Sequence, residues 1–336
     1  MRIEHVDEEE WERALPKRGF EPFHTPEALS VLDRHTSGEL HRLVGYKGDQ
    51  PIGIFPVIVQ QRLVGKVVLS PPPSMGVPRL GPLLMPASPK QRKQEKLNQR
   101  FTEQVLERLG VDDSRTLTRF ICPPTYDDPR PYTWEGMGIE TAFTYSVETS
   151  DGDAEELLGS FSKSLRREIR DGQELDVAVS VEGPEAARPV HEQTRKRYEE
   201  QDRAYSLEWE YVDDLTQTLA KTNRCRVYTA RTPDGTFLSG ITVLYSNDAA
   251  YFWQGGTRAT YEGVSINSLV HWKILEDIIE NPPYESIERY DLMGANTERL
   301  CQYKSKFGAT LVPYYVVESS GSQMELAKKT YQLLSN

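Results

Sequence analysis

The spacing of apolar residues changes along this chain, and each change marks an element. Residues 40–46 and 51–60 read as two strands joined by the turn Lys47-Gly48-Asp49-Gln50, an antiparallel hairpin. In the second of these, Ile52, Ile54, Pro56 and Ile58 alternate with Gly53, Phe55, Val57 and Val59, so both faces are expected to be buried. A helix over 26–34 starts at Thr25-Pro26, since proline suits the first helical turn. Prolines and glycines from Ser70 to Pro86 mark a long loop. Leu97, Phe101, Val105 and Leu109, four residues apart, place an apolar stripe on one face of a helix over 89–109. Strands at 116–122 and 142–147 complete the first half.

The pattern stops at Thr149-Ser150-Asp151-Gly152-Asp153 and resumes with a helix-capping sequence, which puts a boundary between domains 1–149 and 150–336. The second half predicts a helix over 154–171, a strand over 175–181, and helices from Gly183-Pro184 to about 201 and over 211–220. Three β segments follow at 224–231, 237–245 and 249–255, with turns at Pro233-Asp234-Gly235 and Ser246-Asn247-Asp248. Ser265 caps a helix through 279, and strands at 287–292 and 311–318 end the pattern. The fold class is α/β, two halves of one plan, each a mixed, largely antiparallel sheet flanked by helices.

Length agrees, because 336 residues suit two domains. No run of 18 apolar residues exists and Met1-Arg2-Ile3-Glu4-His5 lacks the apolar region of a signal peptide, so a cytoplasmic protein without membrane insertion is expected. A net charge of −11 argues against broad attraction to DNA or to anionic lipid. The excess of 51 acidic over 40 basic residues, with arginine commoner than lysine, fits a salt-adapted cytoplasm or simply a solvated surface. Cys122, Cys225 and Cys301 are scattered and odd in number, which fits reduced thiols. Neither they nor His5, His24, His35, His41, His191 and His271 show metal-ligand spacing, so no metal is expected. A Ser-His-Asp hydrolase is disfavoured as well.

Three segments remain for chemistry. Ala250-Tyr251-Phe252-Trp253-Gln254-Gly255-Gly256 ends a strand in two glycines, and the next helix opens at Gly263-Val264-Ser265, an arrangement that turns backbone N–H groups toward an anion. It has neither a Walker lysine nor G-x-G-x-x-G, and an ordinary helix cap is the plainer reading. Arg166 and Arg170 share a helix face, where they grip a phosphate or merely meet solvent. Tyr290-Asp291-Leu292-Met293-Gly294 takes a strand into a glycine turn, with Asp291 near the end where ligands meet α/β sheets. Beyond it, Tyr303 and Phe307 lie four residues apart on a short helix that carries Lys304. The plainer reading puts both rings in the core and Lys304 at the surface; the other puts Lys304 in a cleft against an oxyanion.

These residues resemble the FemABX-like branch of the GNAT acyltransferase superfamily. Asp291-Leu292-Met293-Gly294 and Tyr303-Lys304-Ser305-Lys306-Phe307-Gly308 are similar to its strand-Asp-Leu-x-Gly and Phe-Lys-x-x-Phe-Gly elements, with Tyr303 in place of phenylalanine. Ser164–Arg170, residues 251–256 and Leu269-Val270-His271-Trp272-Lys273 extend the likeness over about 150–318. The resemblance implies tandem GNAT-like domains, the N-terminal one degenerate, and transfer of an acyl or aminoacyl group from acyl-CoA or aminoacyl-tRNA to an amine. No tightly bound cofactor is implied. The acceptor would be a small molecule, peptide or glycan amine, in cell-surface biosynthesis, with tRNA as a partner if it is the donor.

Lys304, with backbone N–H groups near Gly255 and Gly256, would receive the oxyanion in a cleft between the halves. Asp291 or Glu298 would relay the amine's proton, Tyr303, Phe307, Trp253, Arg166 and Arg170 would bind substrate, and Gly255, Gly256, Arg258, Gly263 and Ser265 would hold the donor. One departure is plain: the family's Arg/Gln-x-x-Gly-x-Gly/Ala loop is stretched here between Arg258 and Ser265. That departure motivates an alternative, a non-catalytic binding module for an activated sugar or peptide. A third reading gives the tandem halves a role in assembling a surface-polysaccharide machine.

Overall fold

The hairpin expected at 40–60 forms the middle of the first of two compact units, Met1–Ala142 together with the chain from Pro313 on; the second is Phe143–Val312. The structure, a computed structural model, describes residues 1–320 apart from Val64, Ser114, Ser150 and Asp151. The boundary read at 149–153 includes two residues that lie outside the described ones.

In chain order the first unit contains β1 (Arg2–His5), α1 (Glu8–Ala14), α2 (Pro26–His35), β2 (Glu39–Lys47), β3 (Gln50–Gln61), β4 (Lys66–Ser70), β5 (Leu83–Leu84), α3 (Gln91–Leu109), β6 (Thr116–Ile121) and α4 (Arg130–Trp134). Its sheet runs β1-β2-β3-β4-β6, antiparallel except for the parallel pair β4–β6, and the short β5 pairs with β3. β3 is buried on both faces as its sequence requires. The stripe on α3 supplies Phe101 and Val105 to a core with Leu43, Phe55, Val57, Val68 and Phe120.

β7 (Gly138–Glu148) leads into the second unit, which contains α5 (Ala154–Ser160), α6 (Lys163–Gln173), β8 (Ala178–Glu182), α7 (Ala187–Glu199), α8 (Trp209–Ala220), β9 (Cys225–Arg231), β10 (Phe237–Tyr245) and β11 (Ala249–Gly255). A small hairpin, β12 (Thr260–Tyr261) and β13 (Val264–Ser265), precedes α9 (Ile266–Glu280), β14 (Arg289–Asp291), α10 (Glu298–Lys304) and β15 (Thr310–Glu318). The sheet order is β8-β9-β10-β11-β14-β7, and only β11–β14 is parallel.

The two units therefore share one strand plan, as the repeat predicted. Each borrows its sixth strand: Ser146–Glu148 of β7 pairs with β14 in the second unit, and Val316–Glu318 of β15 pairs with β6 in the first. Sequence pattern shows both strands but not this exchange.

Several boundaries are corrected. The single helix expected over 154–171 breaks into α5 and α6, because Phe161 turns into the core against Trp272 and Phe307. Ser162 then caps α6, its Oγ accepting the Leu165 N–H at 3.3 Å while its own N–H donates to Lys306 O at 2.8 Å. The strand expected over 287–292 is reduced to Arg289–Asp291, since Met293 and Gly294 adopt positive φ. β1, α1, β4 and α4 are additions that the pattern did not reveal. Among the described residues no helix is long and apolar enough to cross a membrane.

Candidate active site

β11 and β14 run side by side for only three pairs, Ala249↔Arg289, Ala250↔Tyr290 and Tyr251↔Asp291. β14 then ends, while β11 continues along β10 to Gly255. A bulge causes the divergence: Thr242 faces Gln254 and Val243 faces Phe252, so Trp253 is the extra residue. The insertion also changes which face the side chains take. Phe252 lies over His271 of α9, with ring centroids 4.8 Å apart, whereas Gln254 contacts His191 of α7.

Lys304 comes to this divergence from the end of α10. It is only 6% exposed, so the surface position favoured by physical reading alone is overturned. Its ammonium donates to the carbonyl oxygens of Met293 and, at 3.0 Å, Gly294, and lies 5.6 Å from the centroid of the Phe252 ring. The turn after β14 thus presents two carbonyls that hold a cation. Burial lowers the Lys304 pKa to about 8, with Asp291 and Cys301 pulling in the opposite direction.

Asp291 is buried, and its Oδ1 accepts the Thr144 hydroxyl at 2.5 Å and the Met293 N–H at 2.7 Å. It closes the turn that supplies the carbonyls to Lys304. Glu298 is exposed in the first turn of α10, where it accepts from Gln302 at 3.1 Å. The two carboxylates therefore occupy different environments.

Around Lys304 stands a set of rings. Tyr303 packs on Phe307, and both approach His271, with centroids 5.5, 6.2 and 5.2 Å apart respectively. Phe307 is fully buried, and Gly308 follows it at φ +62°. A Cβ at Gly308 would lie 2.6 Å from Ser160 Oγ and 3.0 Å from Ser160 O, which explains the Phe-Gly pair in steric terms. Tyr303 accepts the Asn267 amide at 2.8 Å, and burial raises its pKa.

His271, which the sequence named without a role, is fully buried with Nδ1 3.1 Å from the Tyr290 hydroxyl. Its Nε2 has no hydrogen-bond partner among the described residues. Burial, reinforced by the Lys304 ammonium, lowers its pKa to about 3, so the imidazole is neutral at pH 7. No spacing rule reveals this residue, because its partners come from β11, β14 and α10.

The loop expected to hold the donor is largely occupied with itself. Gly255 has φ +101°, and Gly256 donates its N–H to Gly240 O at 2.9 Å. β12 and β13 pair with each other, and the Ile266 N–H goes to Ala259 O at 3.1 Å. Arg258 and Gly263 are exposed, while Ser265 sits at the N-cap of α9 without a capping side-chain bond. In the first turn of α9, Ser268 donates to Glu168 Oε2 at 2.8 Å, so a carboxylate already occupies that helix end.

Arg166 donates to Gly159 O at 3.0 Å, Arg170 is exposed, and Trp253 is half-buried at the bulge. The structure brings Lys304, Asp291, Tyr303 and Phe307 together. It gives Arg166, Arg170 and Glu298 no bond to that group among those described, while Arg258 acts on Tyr303 electrostatically. Among the described residues no group of three or more His, Cys, Asp or Glu is placed to hold a metal.

Residues 159–305 match the family model described as an acetyltransferase (GNAT) domain. That segment is similar to the acetyltransferase domains of the GNAT superfamily. The fold of the whole chain is shared with FemX and with a tandem GNAT protein. The structure is similar to that of FemX, at 12% identity with all of both chains covered and a TM-score of 0.71. It is also similar to L-PGS from Bacillus licheniformis, at 12% identity, covering 99% of this chain and 98% of that one with a TM-score of 0.58. A tandem GNAT protein from the clavulanic acid biosynthesis pathway has 12% identity, coverage of 96% and 100%, and a TM-score of 0.51. No curated protein matches the sequence.

Proposed function

We propose that the second unit transfers an acyl or aminoacyl group from an ester or thioester donor to the amine of a small molecule or peptide, within cell-envelope biosynthesis. The observation that carries this reading is the buried Lys304 ammonium where β11 and β14 part. The amine nitrogen attacks the donor carbonyl carbon, and the carbonyl electron pair moves to oxygen. An ammonium has three N–H donors, and Met293 O and Gly294 O account for two. The third meets the oxyanion; collapse then expels the ester oxygen or thiolate sulfur, which takes up the proton that the nitrogen loses. Asp291 is a positioning residue here, fixing the turn that fixes Lys304.

The envelope setting draws on the fold shared with FemX and L-PGS. Acyl-CoA and aminoacyl-tRNA are the two donor classes. Glu168 at the first turn of α9, with the self-paired 260–265 hairpin, opposes a diphosphate at that helix end and favours the aminoacyl ester. Incubation with each donor pool, followed by mass spectrometry, separates the two by which donor is consumed. Lys304→Ala is expected to lower turnover by about 10²–10³ with the fold intact. Unchanged turnover in a folded variant would overturn the assignment.

A further inference from the structure

The β11 bulge sets Gln254 on the face opposite Lys304, where it is 4% exposed. Its amide nitrogen donates to His191 Nδ1 at 3.2 Å and to the Tyr205 hydroxyl, whereas its Oε1 is buried with no partner among the described residues. A buried carbonyl oxygen without a donor is destabilising, and a ligand N–H would relieve it. His191 is buried, and burial first, then Arg195, lowers its pKa, so it faces Gln254 as a neutral ring.

Aromatic side chains surround this amide. The Tyr205 and Trp209 rings lie 5.3 and 5.5 Å from His191, and Tyr198 lies 5.0 Å from Tyr205. Glu192, Glu208 and Glu210 are close enough to act on His191. Arg188 and Arg203 stack on Trp209 and Tyr198, and Arg188 also pairs with Glu192 at 3.0 Å. An oxygen needing a donor, aromatic faces, an uncharged imidazole and nearby carboxylates together suit an ammonium group. A carboxylate would meet the unpartnered oxygen, and the nearby Arg188 and Arg195 are already paired with Glu192 at 3.0 Å and Glu199 at 3.7 Å.

We infer that Gln254, Tyr205 and the rings of Tyr198 and Trp209 form the seat for an alkylammonium group of the acceptor, separate from the amine that is acylated beside Lys304. This rests on the amine-transfer reading above for its role in turnover, but not for binding itself. Tyr205, from the segment between α7 and α8, holds the amide nitrogen and leaves Oε1 to the ligand.

The test is a titration of the full chain with butylammonium, butan-1-ol and butyrate, followed by NMR of the Gln254 carboxamide and the Trp209 indole. Butylammonium is expected to shift both signals saturably, butan-1-ol to bind more weakly, and butyrate not at all. Gln254→Met should weaken butylammonium binding about tenfold or more. If that variant does not fold, Gln254→Glu, of the same shape, should tighten butylammonium while leaving butan-1-ol unchanged. Equal affinity for the alcohol and the ammonium, no shift at the Gln254 carboxamide, or wild-type affinity in Gln254→Met each overturns the proposal. Because no acyl donor is present, intact butylammonium binding alongside absent turnover would overturn the transfer reading alone.

Discussion

At Lys304 two effects compete, and their balance sets a pH dependence. Burial disfavours the charged form, while two carbonyls and Asp291 retain it, leaving a pKa of about 8. With Lys304 as the oxyanion partner, turnover at saturating acceptor should fall as pH rises through about 8, and Lys304→Arg should move that limb upward. A pH profile of kcat for both proteins checks this. Stability has the opposite sign. Between pH 8 and the ordinary lysine range near 10.5, the unfolded chain keeps the proton that the folded one has lost, so folding is favoured by rising pH. Urea titrations should show wild type gaining on Lys304→Met across that window.

Little of this residue-scale picture was legible beforehand. The sequence offered Lys304 beside two aromatics, but its burial depends on Met293 O, Gly294 O and Phe252, from segments 10 to about 50 residues away. His271 and Gln254 were less visible still. An isolated His or Gln in an apolar run has no local signature.

The elements containing the site owe their shape to a few local decisions. Gly308 is one, with its left-handed φ and its approach to Ser160. Gly308→Ala is expected to destabilise the protein by about 1–3 kcal/mol, as read from the denaturation midpoint. Ser162 is another. Ser162→Ala should cost about 1 kcal/mol by removing the α6 cap, measurable the same way. The helix read over 154–171 missed this break because the interruption at Phe161-Ser162 satisfies a tertiary need, the burial of Phe161. Helical periodicity does not report such a need. The β11 bulge was equally hidden, since it is defined by register with β10.

For the whole molecule, the strand plan β1-β2-β3-β4-β6 and its counterpart β8-β9-β10-β11-β14 account for the repeat seen in the hydrophobic pattern. The exchange of β7 and β15 makes each unit depend on sequence from the other half. Val317 is fully buried in the first unit, on a strand that follows the second unit's α10. Val317→Asp should therefore remove hydrogen-exchange protection from Phe120 and Ile121 in β6, leaving the β9–β10 amides protected.

Period and punctuation alone determined the α/β class, the repeated plan and most strands, because these follow from how often an apolar side chain must face inward. The Lys304 motif, too, was visible as residues. Tertiary structure decided what those residues are to one another: the burial of Lys304, the parting of β11 from β14, the opposite faces taken by Phe252 and Gln254, and the borrowed sixth strands. Each depends on register and contact between segments distant in sequence, and a local pattern carries no information about which distant segment will arrive.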